Sequence, residues 1–148
     1  MIVLAFWGSI FPVILFNIDR KKIIWAGICG ALGWIAYSIV CERTGSSVAG
    51  SFFGAFVVNM YSEFMARRIK TPASMFYVPG IFPLVPGIIA YNTIRYIVEH
   101  NYDNAISKGI LTMAICGAIA FGIMLSATIV KFVERVSKKM KQSFYNIQ

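Results

Sequence analysis

The sequence predicts an all-α, polytopic membrane protein with five transmembrane helices, the fourth broken by proline and glycine. Composition is the first reason. Of 148 residues, 58% are hydrophobic and 14% charged, with a mean hydropathy of +0.71, whereas a soluble domain carries about 25% charged residues. The second is recurrence: a hydrocarbon core ~30 Å thick needs ~20 apolar residues of helix, and such runs appear five times. The third is that basic clusters mark alternate connections between those runs, as a membrane-spanning chain requires.

The spans fall at about 1–18, 23–41, 44–62, 71–98 and 107–131, within one integral-membrane domain over 1–148 that ends in a basic tail, 132–148. The first lacks a basic leader and a small-residue cleavage site, and a basic cluster follows it directly, so it reads as a retained helix. The first connection holds Arg20, Lys21 and Lys22, the third Arg67, Arg68 and Lys70, and the tail Lys131, Arg135, Lys138, Lys139 and Lys141. The second connection has Arg43 beside Glu42, and the fourth has Glu99, His100 and Asp103 before Lys108. Positive residues mark the cytoplasmic side. The pattern therefore places the N-terminus outside and the C-terminus in the cytoplasm, and an even number of spans would break it.

The net charge of +8 does not indicate nucleic acid, because the basic residues sit in short clusters beside apolar runs rather than on one basic face or helix. Cys29, Cys41 and Cys116 lie inside apolar runs at no metal-like spacing and read as reduced, small apolar residues. Gly27, Gly30 and Gly33, then Gly50 and Gly54, then Gly117 and Gly122 supply small surfaces for close helix packing. Trp7, Trp25, Trp34, Tyr37, Tyr96 and Tyr102 lie mostly toward span ends and read as interfacial anchors. Five spans form a thin bundle that cannot divide into equal inverted halves, so the chain is expected to need a partner.

The fourth span contains YVPGIFPLVPGIIAY, from Tyr77 to Tyr91. Proline removes an N–H and clashes with the carbonyl four residues back, and irregular backbone survives at membrane depth only where protein or a polar cavity covers it. Pro79, Pro83 and Pro86 would share one face of a continuous helix. They would free carbonyls near Met75, Pro79 and Phe82, while Gly80 and Gly87 tolerate φ > 0 and admit a ligand to the backbone. A helix restarting after Gly87 would offer its N–H groups and dipole to a carboxylate. The candidate substrate site is thus Pro79, Gly80, Pro83, Pro86, Gly87 and Tyr91. Glu63, near the cytoplasmic end of the third span and four residues before Arg67, is the candidate proton-coupling carboxylate. Asn59, Asn92 and Arg95 are secondary candidates.

No GxxxxGK[ST], HExxH or GxSxG motif is present, nor a His/Cys/Asp cluster, so no motif calls for a cofactor, a metal or an enzymatic activity. A non-transporting protein that stabilises or assembles a membrane partner is the alternative from the residues alone.

The run Glu63-Phe64-Met65-Ala66-Arg67-Arg68-Ile69-Lys70-Thr71-Pro72, then Val78-Pro79-Gly80-Ile81-Phe82-Pro83-Leu84-Val85-Pro86-Gly87 and Tyr91, resembles the threonine/serine exporter family. More closely, the chain looks like the small subunit of its split, two-protein form, which corresponds to the C-terminal five-span half of the fused exporters. The resemblance implies a proton-driven exporter in the bacterial plasma membrane, expelling threonine and serine or, in some split members, a dicarboxylate such as succinate. It also implies a larger partner subunit with five spans of its own and a soluble N-terminal region.

Overall fold

The computed structural model describes residues 2–15 and 20–145. Its elements are α1 (Ile2–Leu15), α2 (Arg20–Thr44), α3 (Ser47–Ile69), α4 (Ser74–Ile81), a 3-10 turn (Phe82–Leu84), α5 (Gly87–Val98) and α6 (Tyr102–Tyr145). Among the described residues there is no strand, as the composition predicts.

The α2–α3 turn follows from three adjacent residues. Thr44 Oγ1 donates back to the Val40 carbonyl at 2.7 Å and closes α2. Gly45 takes a left-handed φ of +66°, a conformation that costs glycine nothing. Ser46 then caps α3, its hydroxyl accepting from the Ala49 N–H at 3.4 Å. The other end of α3 closes on Lys70 at φ 54°, whose N–H reaches the Ala66 carbonyl, and Pro72 stands just beyond, where the helix has already stopped.

α3 is the central helix, packing on α2, α4 and α6. It runs antiparallel to α2: Gly50 meets Tyr37 and Gly54 meets the Gly33 carbonyl, while Cys29 Sγ lies 3.3 Å from Ser62 Oγ. It runs parallel to α6: Gly122 abuts Phe52 and Ala55, and Asn59 Nδ2 donates to Ser126 Oγ at 2.7 Å. These seams depend on small residues. A Cβ on Gly54 would sit 2.9 Å from Leu84 Cδ2, and one on Gly122 would sit 2.5 Å from the Phe52 carbonyl oxygen. One core cluster is Cys29, Ala55, Val58, Leu84, Ile115 and Ile119, and a second is Ala26, Met65 and Phe76.

The interrupted segment advances in one direction along this frame. Gly80 packs on Cys29 and Val58, and Leu84 on Gly33 and Gly54. Further on, Ile89 and Ile115 line one cavity, and Thr93 touches Gly109. These contacts do not double back, and the two helices are bent by 52° at the break. The helix directions also collect the starts of α2 and α4 and the end of α3 at one end of the bundle. Arg67, Arg68 and Lys70 therefore lie on the same side as Lys131 and Arg135 of α6, as the charge alternation predicts. The side chains of Arg20, Lys21, Lys22, Lys138, Lys139 and Lys141 lie outside the described residues.

The span count is coarser than five. Ile23–Thr44 and Tyr102–Val133 are long and apolar enough to cross a membrane alone, and Ser74–Leu84 with Gly87–Val98 makes a third if the bent pair is one crossing. α1 is described over 14 residues, short of the ~20 a crossing needs, and 16–18 of the expected first span lie outside the described residues. α3 has 23 residues, ~34 Å of helix, but its buried Ser51, Asn59 and Ser62 lower its hydropathy. A helix enclosed by neighbours keeps polar groups that a lipid-facing one does not. α6 runs unbroken from Tyr102 to Tyr145, well past the expected limit at 131, because no glycine or proline follows Gly122.

Candidate functional site

The break differs in detail from a proline-kinked helix. α4 carries Pro79 inside its final turn, and the chain then tightens into the 3-10 turn with proline in its first positions. Shorter-range bonds satisfy the carbonyls that proline leaves: the Phe82 N–H donates to the Pro79 carbonyl, and the Val85 N–H to the Phe82 carbonyl at 3.3 Å. Two of the three carbonyls expected to be free, those of Pro79 and Phe82, are therefore occupied. α5 restarts at Gly87, as the sequence predicts. The Gly87 N–H turns back to the Val85 carbonyl at 2.8 Å and the Ala90 N–H takes the Pro86 carbonyl at 3.0 Å. Pro86 provides no side-chain cap, and the N–H groups of Ile88 and Ile89 belong to the first turn, which no helix satisfies internally.

A cavity of about 230 Å³ lies against this break. Its walls are Pro83 to Ile89 on one side and Trp34, Tyr37, Ser51 and Ile115 on the other. Among the described residues, no charged side chain lines it. The Trp34 and Tyr37 rings stand 5.2 Å apart with a 31° tilt. The Ser51 hydroxyl donates to the Ser47 carbonyl at 2.8 Å, which leaves its oxygen lone pairs as acceptors. The chemistry on offer is aromatic and aliphatic surface, a hydroxyl, and a helix start worth roughly half a positive charge.

The structure divides the sequence candidates. Pro83, Pro86 and Gly87 line the cavity, and a Cβ on Gly87 would meet nothing within 4 Å. Pro79 and Gly80 do not line it; both are buried, and a Cβ on Gly80 would lie 2.9 Å from Cys29 Sγ and 3.0 Å from Val58 Cγ1. The three prolines share no face, because the helix that would align them stops at Ile81. Neither Gly80 nor Gly87 adopts a positive φ; close packing at the first and open space at the second describe them instead. Tyr91 is 66% exposed, outside the cavity.

Glu63 stands apart from the break. It borders a separate cleft between α3 and α6, with Met60, Phe64, Arg67, Ile129, Val130 and Val133, and its carboxylate is 4.0 Å from Arg67. Twelve residues of α3, ~18 Å, separate it from Ser51. Asn59 is 2% exposed, its amide also reaching the Ile123 carbonyl at 3.4 Å, so it joins α3 to α6. Arg95 is exposed and pairs with Glu99 at 2.8 Å, one turn on. Asn92 is half-buried on α5 and does not line the cavity.

Trp34, Tyr37, Ser51 and Ile115 are the lining residues that sequence reasoning missed. Trp34 and Tyr37 read as interfacial anchors, yet they face the break. Ser51 carried a faint signal, as a hydroxyl beside Gly50 in a packing motif. Ile115 carried none.

A family model described as Threonine/Serine exporter, ThrE, matches residues 1–129. An uncharacterized protein of Haemophilus influenzae is 28% identical over 120 residues, which cover 76% of this chain and 40% of that protein. The chain thus spans well under two thirds of that relative's length. No solved structure matches it. With apolar helices long enough to cross a bilayer and a family match over most of its length, this membrane-embedded chain belongs to the threonine/serine exporter family.

Proposed function

We propose that this chain is one subunit of a proton-coupled secondary exporter that moves small amino acids, threonine and serine, out across the bacterial plasma membrane. Substrate sits in the cavity at the α4–α5 break. One observation carries the reading: in a chain of this family, the segment that proline and glycine interrupt inside an apolar run also borders a cavity. In this reading the α5 start receives the substrate carboxylate, and Ser51 with the aromatic pair meets the rest. A dicarboxylate such as succinate fits less well, because none of the described residues in the wall is basic and a second carboxylate buried without a partner costs several kcal/mol.

The proposal includes five crossings, with α1 and α3 joining the three more apolar passages, the N-terminus outside and the basic end cytoplasmic. It includes a larger partner subunit, consistent with a chain that covers 40% of its relative. Glu63 is the proton carrier; at ~18 Å from Ser51 it acts through movement of α3, not by touching substrate.

Export of threonine, serine and succinate from cells expressing the chain with its partner is the test. Gly87→Leu fills the cavity and Glu63→Gln removes the titratable group, so each is expected to lower threonine and serine efflux at least about tenfold, or ~1.4 kcal/mol. Wild-type efflux from both variants at matched protein levels would overturn the site assignment.

A further inference from the structure

We propose that the cleft between α3 and α6 at the basic end of the bundle is a binding site for one anionic phospholipid. The two helices are drawn together at Gly122 and clamped by the Asn59–Ser126 bond. Beyond that clamp they leave a cleft of about 190 Å³. Apart from Glu63 and Arg67, its walls are apolar and open to the side: Met60 is 39% exposed, Phe64 57%, Ile129 45% and Val133 58%. In a membrane-embedded chain, a lateral apolar slot of this kind takes an acyl chain.

The charge at its mouth selects the headgroup. Arg67 borders the cleft, and the Arg68 guanidinium lies over the Phe64 ring, 5.6 Å from its centre. Ring and carboxylate orient the two arginines: Phe64 supports Arg68, and Glu63 stands 4.0 Å from Arg67. Glu63 lies four residues, ~6 Å, further into the helix, at the level of the acyl chain rather than of the phosphate. Basic pockets between transmembrane helices are the usual seats of anionic headgroups. The occupant is therefore a lipid such as phosphatidylglycerol, its tail along Met60, Phe64 and Val133 and its phosphate at Arg67 and Arg68.

Native mass spectrometry of the detergent-purified chain with equal phosphatidylglycerol and phosphatidylcholine tests this. Phosphatidylglycerol is expected to be retained at least about fivefold over phosphatidylcholine, from ~1 kcal/mol per basic residue at the headgroup. Arg67→Gln/Arg68→Gln should abolish the preference. Val133→Trp, which fills the slot with charge intact, should lower retention of either lipid. Lys131→Gln/Arg135→Gln, which removes two exposed charges that do not line the cleft, should leave the preference intact. Equal retention of the two lipids would overturn the proposal. So would an equal loss in the Lys131/Arg135 variant, or a second copy of the chain occupying the cleft and excluding lipid.

Discussion

Gly80 and Gly87 stand seven residues apart in one motif, yet their surroundings separate them. Alanine at Gly80 drives a methyl into Cys29 and Val58, an overpacking that typically costs 1–3 kcal/mol. Alanine at Gly87 enters open space. Gly80→Ala is therefore expected to lower the melting temperature in detergent and reduce the yield of folded protein, while Gly87→Ala melts as the parent does. Equal melting temperatures for the two would mean that α4 does not pack on α2 and α3 as described. Asn59 allows a second test at this scale. Asn59→Leu removes its bonds to Ser126 and Ile123 and is expected to cost about 1 kcal/mol, the usual size of an interhelical hydrogen bond in a membrane protein. Arg95→Gln, which loses only an exposed pair with Glu99, should leave both melting and efflux unchanged.

At the scale of the element, the α4–α5 passage joins a fixed half to a loosely held one. α4 packs on α1, α2 and α3, whereas α5 packs on α6 and buries no residue of its own. Water should reach the passage at its middle and not at its start. With the native cysteines replaced, single cysteines at Val85 and Gly87 are expected to react with a water-borne thiol reagent, and one at Phe76, fully buried, is not. Labelling at Phe76 alone, or at none of the three, would remove the cavity. The break was legible in the sequence because proline and glycine act locally: the restart at Gly87 needs only the chemistry of adjacent residues. Which carbonyls stay free was not legible, because the 3-10 turn that occupies them depends on Leu84 seating between Gly33 and Gly54, a contact between residues far apart in the chain.

Across the whole molecule, the charge pattern was the more informative signal. It anticipates that α3's last turn and α6's distal half share one end, and the contacts of Asn59 with Ser126 agree. Hydropathy was weaker, since α3 is polar where neighbours enclose it. The cavity's far wall was illegible for a related reason. In helices apolar all round, periodicity does not mark an inward face, so Trp34, Tyr37 and Ile115 resemble any lipid-facing residue. The orientation itself can be checked with reporter fusions at each terminus. A C-terminal fusion is expected to report the cytoplasm and an N-terminal one the exterior; both on one side would mean an even number of crossings.

The side-by-side, same-direction arrangement of α3 and α6 has a consequence for biogenesis. Two such neighbours cannot zip together as a hairpin, so in the proposed five-span topology the intervening stretch crosses the bilayer before Ser126 can meet Asn59, 67 residues earlier. Until then the Asn59 amide faces hydrocarbon or a temporary protector. A ribosome stalled short of position 126 should therefore display a half-built bundle that insertion chaperones hold and quality-control proteases cut.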